Sequence, residues 1–304
     1  MPRNCPIDLH MARHGISPYS NNLCELENAS RDIRLMVIKG LHNGVLEVEL
    51  NAVDLSNIDN NKSGNDEYVA LSWCWRAYGG EDDDDSQQLQ QINIMKDKYR
   101  YSLDVSRNLN AALKVLHDLK VLQLWVDWIC IDQSNTVERS NQVRLMGQVY
   151  GKAESVYVWL GEEKNNSKLA FEFIPKMLEV QGFNDLVTNT DNHESLNAVK
   201  MLLTRDWFSR RYEDIRITVF LLPSGHFSYL YAIGSSLTCF RWIIQEIALA
   251  EKAVLVCGMD QLKWSTFAIA VSLFTEVRSR QYFISRRIRH RLQFSIELAK
   301  LTFL

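Results

Sequence analysis

No C-x-x-C pair joins any of the six cysteines, Cys5, Cys24, Cys74, Cys130, Cys239 and Cys257, and none stands at metal-ligand spacing from a histidine. That excludes the common zinc frameworks and points to reduced, mostly buried thiols in an intracellular protein. Basic residues are in no excess: 34 Lys and Arg face 37 Asp and Glu, a net charge of −3. This balance leaves no electrostatic footprint for nucleic acid. The G-x-x-x-x-G-K-[ST] phosphate loop and the G-x-S-x-G nucleophile elbow are both missing. His117, His193 and His226 have no Ser or Cys partner in the pattern, which argues against a nucleophile–histidine mechanism. The first turns carry Asp8, His10 and Arg13 without an apolar h-region, so no secretory signal is expected and a cytoplasmic location is. The aromatic and apolar stretch Tyr212 to Phe240 is broken by Pro223, Ser224, Gly225 and His226; that leaves about 14 largely apolar residues, short of the roughly 20 a spanning helix needs.

What is present is a soluble, globular composition, 46% hydrophobic and 23% charged, over 304 residues, enough for one large domain or two ordinary ones. The chain is organised around residues 124–161. Leu124 to Ile131 is a short apolar run bounded by Asp132, Ser134 and Asn135, which predicts a buried strand. From Glu138 the period changes: Val143, Met146, Val149 and Tyr150 recur at three- and four-residue steps while Arg139, Asn141 and Arg144 fall elsewhere, which predicts an amphipathic helix ended by Gly151. Ser155 to Leu160 then predicts a second strand, closing a βαβ unit before Gly161.

Upstream, Ile33, Leu35 and Val37 alternate before His42-Asn43-Gly44, and Val45, Leu46, Val48 and Leu50 follow it, which predicts a two-stranded N-terminal β-ribbon. Tyr68 to Trp73 predicts the first buried strand. The acidic run Glu81 to Asp85 reads as a solvated loop. Val105 to Leu122 predicts a helix with Ser106 as N-cap; Leu169–Val180 and Leu196–Leu203 predict two more. With Ala253–Cys257 as a further strand, the expected fold is α/β, a mostly parallel sheet flanked by helices on both faces. Residues 1–30 read as a lead-in, 31–265 as the main domain and 266–304 as a C-terminal helical segment. Within that last segment Arg286, Arg287, Arg289, His290 and Arg291 stand beside Ile and Leu, a basic amphipathic pattern suited to a membrane, to a partner or to plain solvent.

The succession L-W-V-D-x-I-C-I-D-Q, E-R, Q-V-x-x-M-G-x-V-Y-x-x-A and V-x-V-W-L-G, with Trp125, Cys130, Glu138, Arg139, Met146, Tyr150, Trp159 and Gly161 at its fixed places, closely resembles the fungal heterokaryon-incompatibility (HET) domain. Tyr68-Val-Ala-Leu71-Ser72 resembles the same family's Y-x-A-L-S signature, although the glycines that should follow are delayed to Gly79 and Gly80. The family also carries R-x-W-F-x-R-x-W-x-x-Q-E-x-x-L-A as one run. Here Arg205, Trp207, Phe208 and Arg210 are separated from Trp242, Gln245 and Glu246 by residues 212–240. Deleting about 30 residues closes the family pattern, and the flanking codons permit a splice donor at Arg-Tyr-Glu, a branch site at Leu237-Thr238 and an acceptor at Phe240-Arg241. Residues 212–240 are therefore expected to be a translated retained intron, the alternatives being a genuine inserted loop or a membrane span. Many members of the family continue much further, which implies a truncated chain.

The resemblance implies an effector of fungal non-self recognition and programmed cell death. The HET domain is in turn similar to the Toll/interleukin-receptor (TIR) domain in strand order and in the W-x-x-x-E spacing of Trp242 and Glu246. Some TIR domains cleave NAD with that glutamate. Carried over, Glu246 would be the catalytic residue, stabilising the cation-like transition state as the nicotinamide bond breaks, and Trp242 would wall the pocket. An apolar wall would also favour a proton-donating role for Glu246. Asp127, Asp132, Gln133 and Ser72, at strand ends, would line the pocket. Plainer readings stand beside these: Asp132 as a helix cap, Asp127 as a satisfied polar neighbour, Cys130 as an inert buried thiol, and Glu246 paired with Arg210 or Arg241 on a helix surface. NAD is the implied substrate, and no metal or firm cofactor is expected. A competing expectation is a non-enzymatic scaffold that self-associates or recruits protein partners, and a third is that the interrupted chain does neither.

Overall fold

The computed structural model describes residues 19, 24–58, 67–75, 89–96, 99–179, 189–209, 219–221, 227–229 and 246–271. Strands β1 (Asp32–His42) and β2 (Val45–Asp54) form the hairpin that the Asn-Gly predicts; Asn43 and Gly44 both take positive φ, as a tight hairpin turn of this type requires. β3 (Val69–Ser72), β4 (Leu89–Lys96) and β5 (Tyr99–Ser106) follow, then α1 (Arg107–Asp118), capped by Ser106, whose hydroxyl accepts from the Leu109 amide at 3.2 Å. Next come β6 (Gln123–Trp125), the single turn α2 (Asp127–Cys130), α3 (Thr136–Lys152) and β7 (Ser155–Trp159). Helices α4 (Ser167–Glu179), α5 (His193–Leu202) and α6 (Asp206–Ser209) lead to the small hairpin β8 (Val219–Leu221) and β9 (Phe227–Tyr229). β10 (Ala253–Cys257) and β11 (Asp260–Lys263) close the sheet, and residues 264–271 are helical.

The main sheet has nine strands in the order β11-β10-β7-β3-β6-β1-β2-β4-β5, and β8 and β9 pair in a sheet of their own. The α/β class holds, but the sheet is mixed rather than mostly parallel. β10, β7, β3 and β6 form a parallel centre and β2 runs parallel to β4, whereas β1–β2, β1–β6, β4–β5 and β10–β11 are antiparallel. The N-terminal hairpin is not a separate ribbon either. β1 pairs with β6, so its two strands continue the sheet. The reason is visible in β1: Ile33, Leu35 and Val37 cover one face, but Arg34, Met36 and Ile38 on the other are buried as well.

Two further expectations are corrected. The run 124–131 is not one strand; it leaves the sheet after Trp125 and turns helical at Asp127, because a short apolar run does not distinguish a buried strand from a buried helical turn. The helix expected from Val105 begins later, since Val105 and Ser106 still belong to β5. In α3, Val143 is exposed while Glu138 and Gln142 are buried, and the helix runs through Gly151 to Lys152. The acidic run and the basic C-terminal pattern lie outside the described residues. Among the described residues no helix is long and apolar enough to cross a membrane.

Candidate functional site

β3 lies between β6 and β7, and the chain leaves it toward β6 but returns across it to β7 and onward to β10. The strand order therefore reverses beside β3, and in an open parallel sheet the crevice beyond the carboxyl ends at such a reversal is where ligands dock. Ser72 is the last residue of β3, with Leu71 on the opposite face. Its hydroxyl donates to Glu246 Oε2, and the Trp207 indole N–H donates to the same hydroxyl oxygen at 2.8 Å. All three side chains are buried, Glu246 at 4% exposure.

Trp207 comes from α6 and is held from behind. Its ring meets Phe208 edge-on at 5.2 Å and Trp264 at 6.1 Å, while Phe208 stacks on Phe267 at 5.4 Å. Among the described residues the aromatic wall next to this site is thus built by Trp207 and Trp264. Trp242, Gln245 and Arg210 lie outside the described residues, as does Arg241. Glu246 itself is buried, not spread on a helix surface.

One residue further along, the chain enters a tryptophan cluster. Asp127 accepts from the Trp73 indole N–H (Oδ1, 3.0 Å), from the Trp75 indole N–H (Oδ2, 3.0 Å) and from the Trp128 amide (2.8 Å). Trp75 stacks on Trp73 and meets Trp128 edge-on at 4.9 Å. Asp127 thus ties the segment after β3 to the turn after β6. Gln133 donates to the Asp127 carbonyl at 2.8 Å, and Asp132 accepts from Ser134 through both its amide (3.0 Å) and its hydroxyl (2.6 Å). Asp132 does not cap α3; Asn135 does, accepting from Val137 and Glu138 amides. Of the four residues expected beside Glu246, the structure brings Ser72 to it; the bonds just described for Asp127, Asp132 and Gln133 go to other partners.

The remaining motif residues are mostly architecture. Glu138 makes a buried two-pronged pair with Arg34, Oε1 to Nη1 at 2.5 Å and Oε2 to Nη2 at 3.0 Å, and Oε1 also accepts from the Asp132 amide at 2.7 Å. Arg34 further donates to the Cys24 and Cys130 carbonyls and lies 5.0 Å from the Tyr19 ring. Cys130 is fully buried, and burial pushes its thiol up to about 12, so it is no nucleophile at neutral pH. Burial also raises the Tyr19 and Tyr68 hydroxyls; Tyr68 donates to the Val149 carbonyl at 2.5 Å. Trp125 meets Tyr150 edge-on at 5.5 Å, Met146 is buried in the core and Arg139 is exposed. Trp159 donates to Asn108 at 2.8 Å, and Asn108 donates to the Cys74 carbonyl at 3.0 Å. Gly161, at φ +98°, leaves room for Arg205, whose guanidinium donates to the Glu162 and Lys164 carbonyls at 2.8 Å each; a Cβ at Gly161 would sit 3.3 Å from Arg205 Nη1.

Sequence reasoning missed Arg34, Asn108 and the role of Arg205. A charged residue between two apolar ones in a strand buried on both faces was the available signal for Arg34. Among the described residues no three His, Cys, Asp or Glu side chains gather as metal ligands.

The family model described as "Heterokaryon incompatibility protein (HET)" matches residues 68–212. The chain is 26% identical over 208 residues to Heterokaryon incompatibility protein 6, OR allele, of Neurospora crassa, an alignment covering 63% of this chain and 28% of that protein. The chain thus matches little more than a quarter of that relative's length. No solved structure matches.

Proposed function

From the match of residues 68–212 to the heterokaryon-incompatibility family, we propose that the chain serves as an effector of fungal non-self recognition, causing cell death by cleaving NAD. The observation that carries this reading is the position of Glu246, a buried carboxylate held by Ser72 at the carboxyl end of β3, beside which the strand order reverses. When the bond between nicotinamide and ribose C1′ breaks, nicotinamide leaves with the bonding electrons and the ribose acquires oxocarbenium character. A carboxylate beside that carbon stabilises the cation until water adds. The Toll/interleukin-receptor likeness belongs to this proposal, with Glu246 as the residue of its W-x-x-x-E spacing. The test is NAD turnover by purified protein. Nicotinamide release by the native chain and its loss in Glu246→Gln are expected, and no release by folded native protein would overturn the enzymatic reading.

A second reading, a scaffold that self-associates, is favoured by Val137, an apolar side chain 70% exposed on the first turn of α3. If this face is an interface, Val137→Glu lowers the mass measured by light scattering. An unchanged mass would sink it.

We also propose that residues 212–240 interrupt the domain. The family match ends at residue 212, where the sequence changes character, and Trp207 and Glu246, on either side, meet at Ser72. Transcripts joining Arg211 to Trp242 are expected; a message that always retains the segment would refute the retained intron.

A further inference from the structure

We infer that Ser72 is a positioning residue whose hydroxyl, oriented by the Trp207 indole, holds Glu246 Oε2 as a hydrogen-bond acceptor. The inference deepens the proposed reaction and rests on Glu246 being its reacting carboxylate.

Which atoms can donate sets the direction of the first of these bonds. An indole N–H donates and never accepts, so in the 2.8 Å bond between Trp207 Nε1 and Ser72 Oγ the serine oxygen is the acceptor. A hydroxyl has one hydrogen. With a lone pair of Ser72 occupied by the indole, its hydrogen points to its other partner among the described residues, Glu246 Oε2. Ser72 and Trp207 are both almost fully buried, so water does not compete for either bond. With Oε2 the acceptor of the Ser72 bond, a proton on Glu246 would sit on Oε1.

The same geometry explains a sequence feature the fold does not require. Trp207 touches Phe208 and Trp264, contacts that any large apolar ring would make, but only an indole or a comparable donor supplies the N–H that fixes the Ser72 rotor. Ser72 in turn lies 135 residues from Trp207 and 174 from Glu246 in sequence, so a strand end joins two segments that the chain keeps apart.

The test uses the full chain labelled with ¹⁵N at its indoles, the Trp207 signal being assigned by its loss in Trp207→Phe. Glu246→Gln should move the Trp207 indole N–H resonance, because the change passes through the Ser72 hydroxyl. The response should persist in a Ser72→Thr background and vanish in Ser72→Ala. A Trp207 signal indifferent to Glu246→Gln overturns the inference, even if Ser72→Ala does not fold, and so does an undiminished response in folded Ser72→Ala. In turnover assays Ser72→Ala should lose on the order of 10- to 100-fold in kcat with KM little changed, and Ser72→Thr should restore most of it. If the spectroscopic coupling is present but the native chain releases no nicotinamide, the positioning role stands and the NAD reading fails.

Discussion

Glu138 and Glu246 are both buried, but Glu138 meets a guanidinium through two parallel bonds and a backbone amide, whereas Glu246 is reached by a hydroxyl whose direction an indole sets. Arg34 and Glu138 join β1 to the start of α3, and the same guanidinium secures Cys24 ahead of β1 and Cys130 in α2. Each charge in that network compensates another and ties separate segments together. Among the described residues, Glu246 meets Ser72 at the carboxyl end of β3, and Ser72 in turn meets Trp207 of the aromatic wall. The difference teaches how to separate structure from chemistry in a domain rich in buried polar groups. One glutamate is held so that the fold stays put, and the other is held so that its orientation stays put.

The comparison breaks most visibly at the ion pair. Glu138→Ala leaves Arg34 buried without its carboxylate and should cost about 3–5 kcal/mol, read from denaturant midpoints. A loss below about 1 kcal/mol would mean that the pair is not the clamp described here. Asp127→Ala removes the acceptor for three N–H groups and should cost roughly 2–3 kcal/mol, with a change in tryptophan fluorescence as Trp73 and Trp75 lose their anchor. Gly161→Ala forces a side chain into φ +98° and against Arg205, for a cost of about 1–2 kcal/mol by the same measurement.

The smallest effect concerns Cys130. Burial lifts its thiol from the ordinary thiol range to about 12. The native state thus keeps a proton that the unfolded chain releases. The stabilisation is complete below about pH 9 and is lost as the pH rises toward 12. At pH 8, iodoacetamide should label Cys130 only when denaturant is present, as mapped by mass spectrometry. Rapid labelling of the native protein would contradict its burial.

How much of this was legible in the sequence depends on how far apart the partners lie. β3 and β10 were readable because short runs of Val, Leu and Ala between polar breaks suit a strand covered on both faces. The β1–β2 turn was readable because Asn43-Gly44 supplies the two positive-φ residues it needs. α2 was hidden because Asp127-Trp-Ile-Cys130 has the composition of a strand and the length of one helical turn. β4 and β5 were missed because they pair with each other beside a polar loop and carry Gln, Asn, Lys and Arg along the sheet's far edge. In the candidate site, Glu246 and Trp207 were visible through family spacing. That Ser72 joins them was not, because two hydrogen bonds spanning more than a hundred residues leave no local periodicity.

The most direct test of the central claim is the NAD content over time of fungal cells expressing the chain closed by deletion of residues 212–241, beside the same chain carrying Glu246→Gln. The account predicts that NAD falls in the first and holds in the second, with both proteins folded and equally abundant. NAD that falls equally in both, or cell death by a folded protein with NAD unchanged, would contradict it.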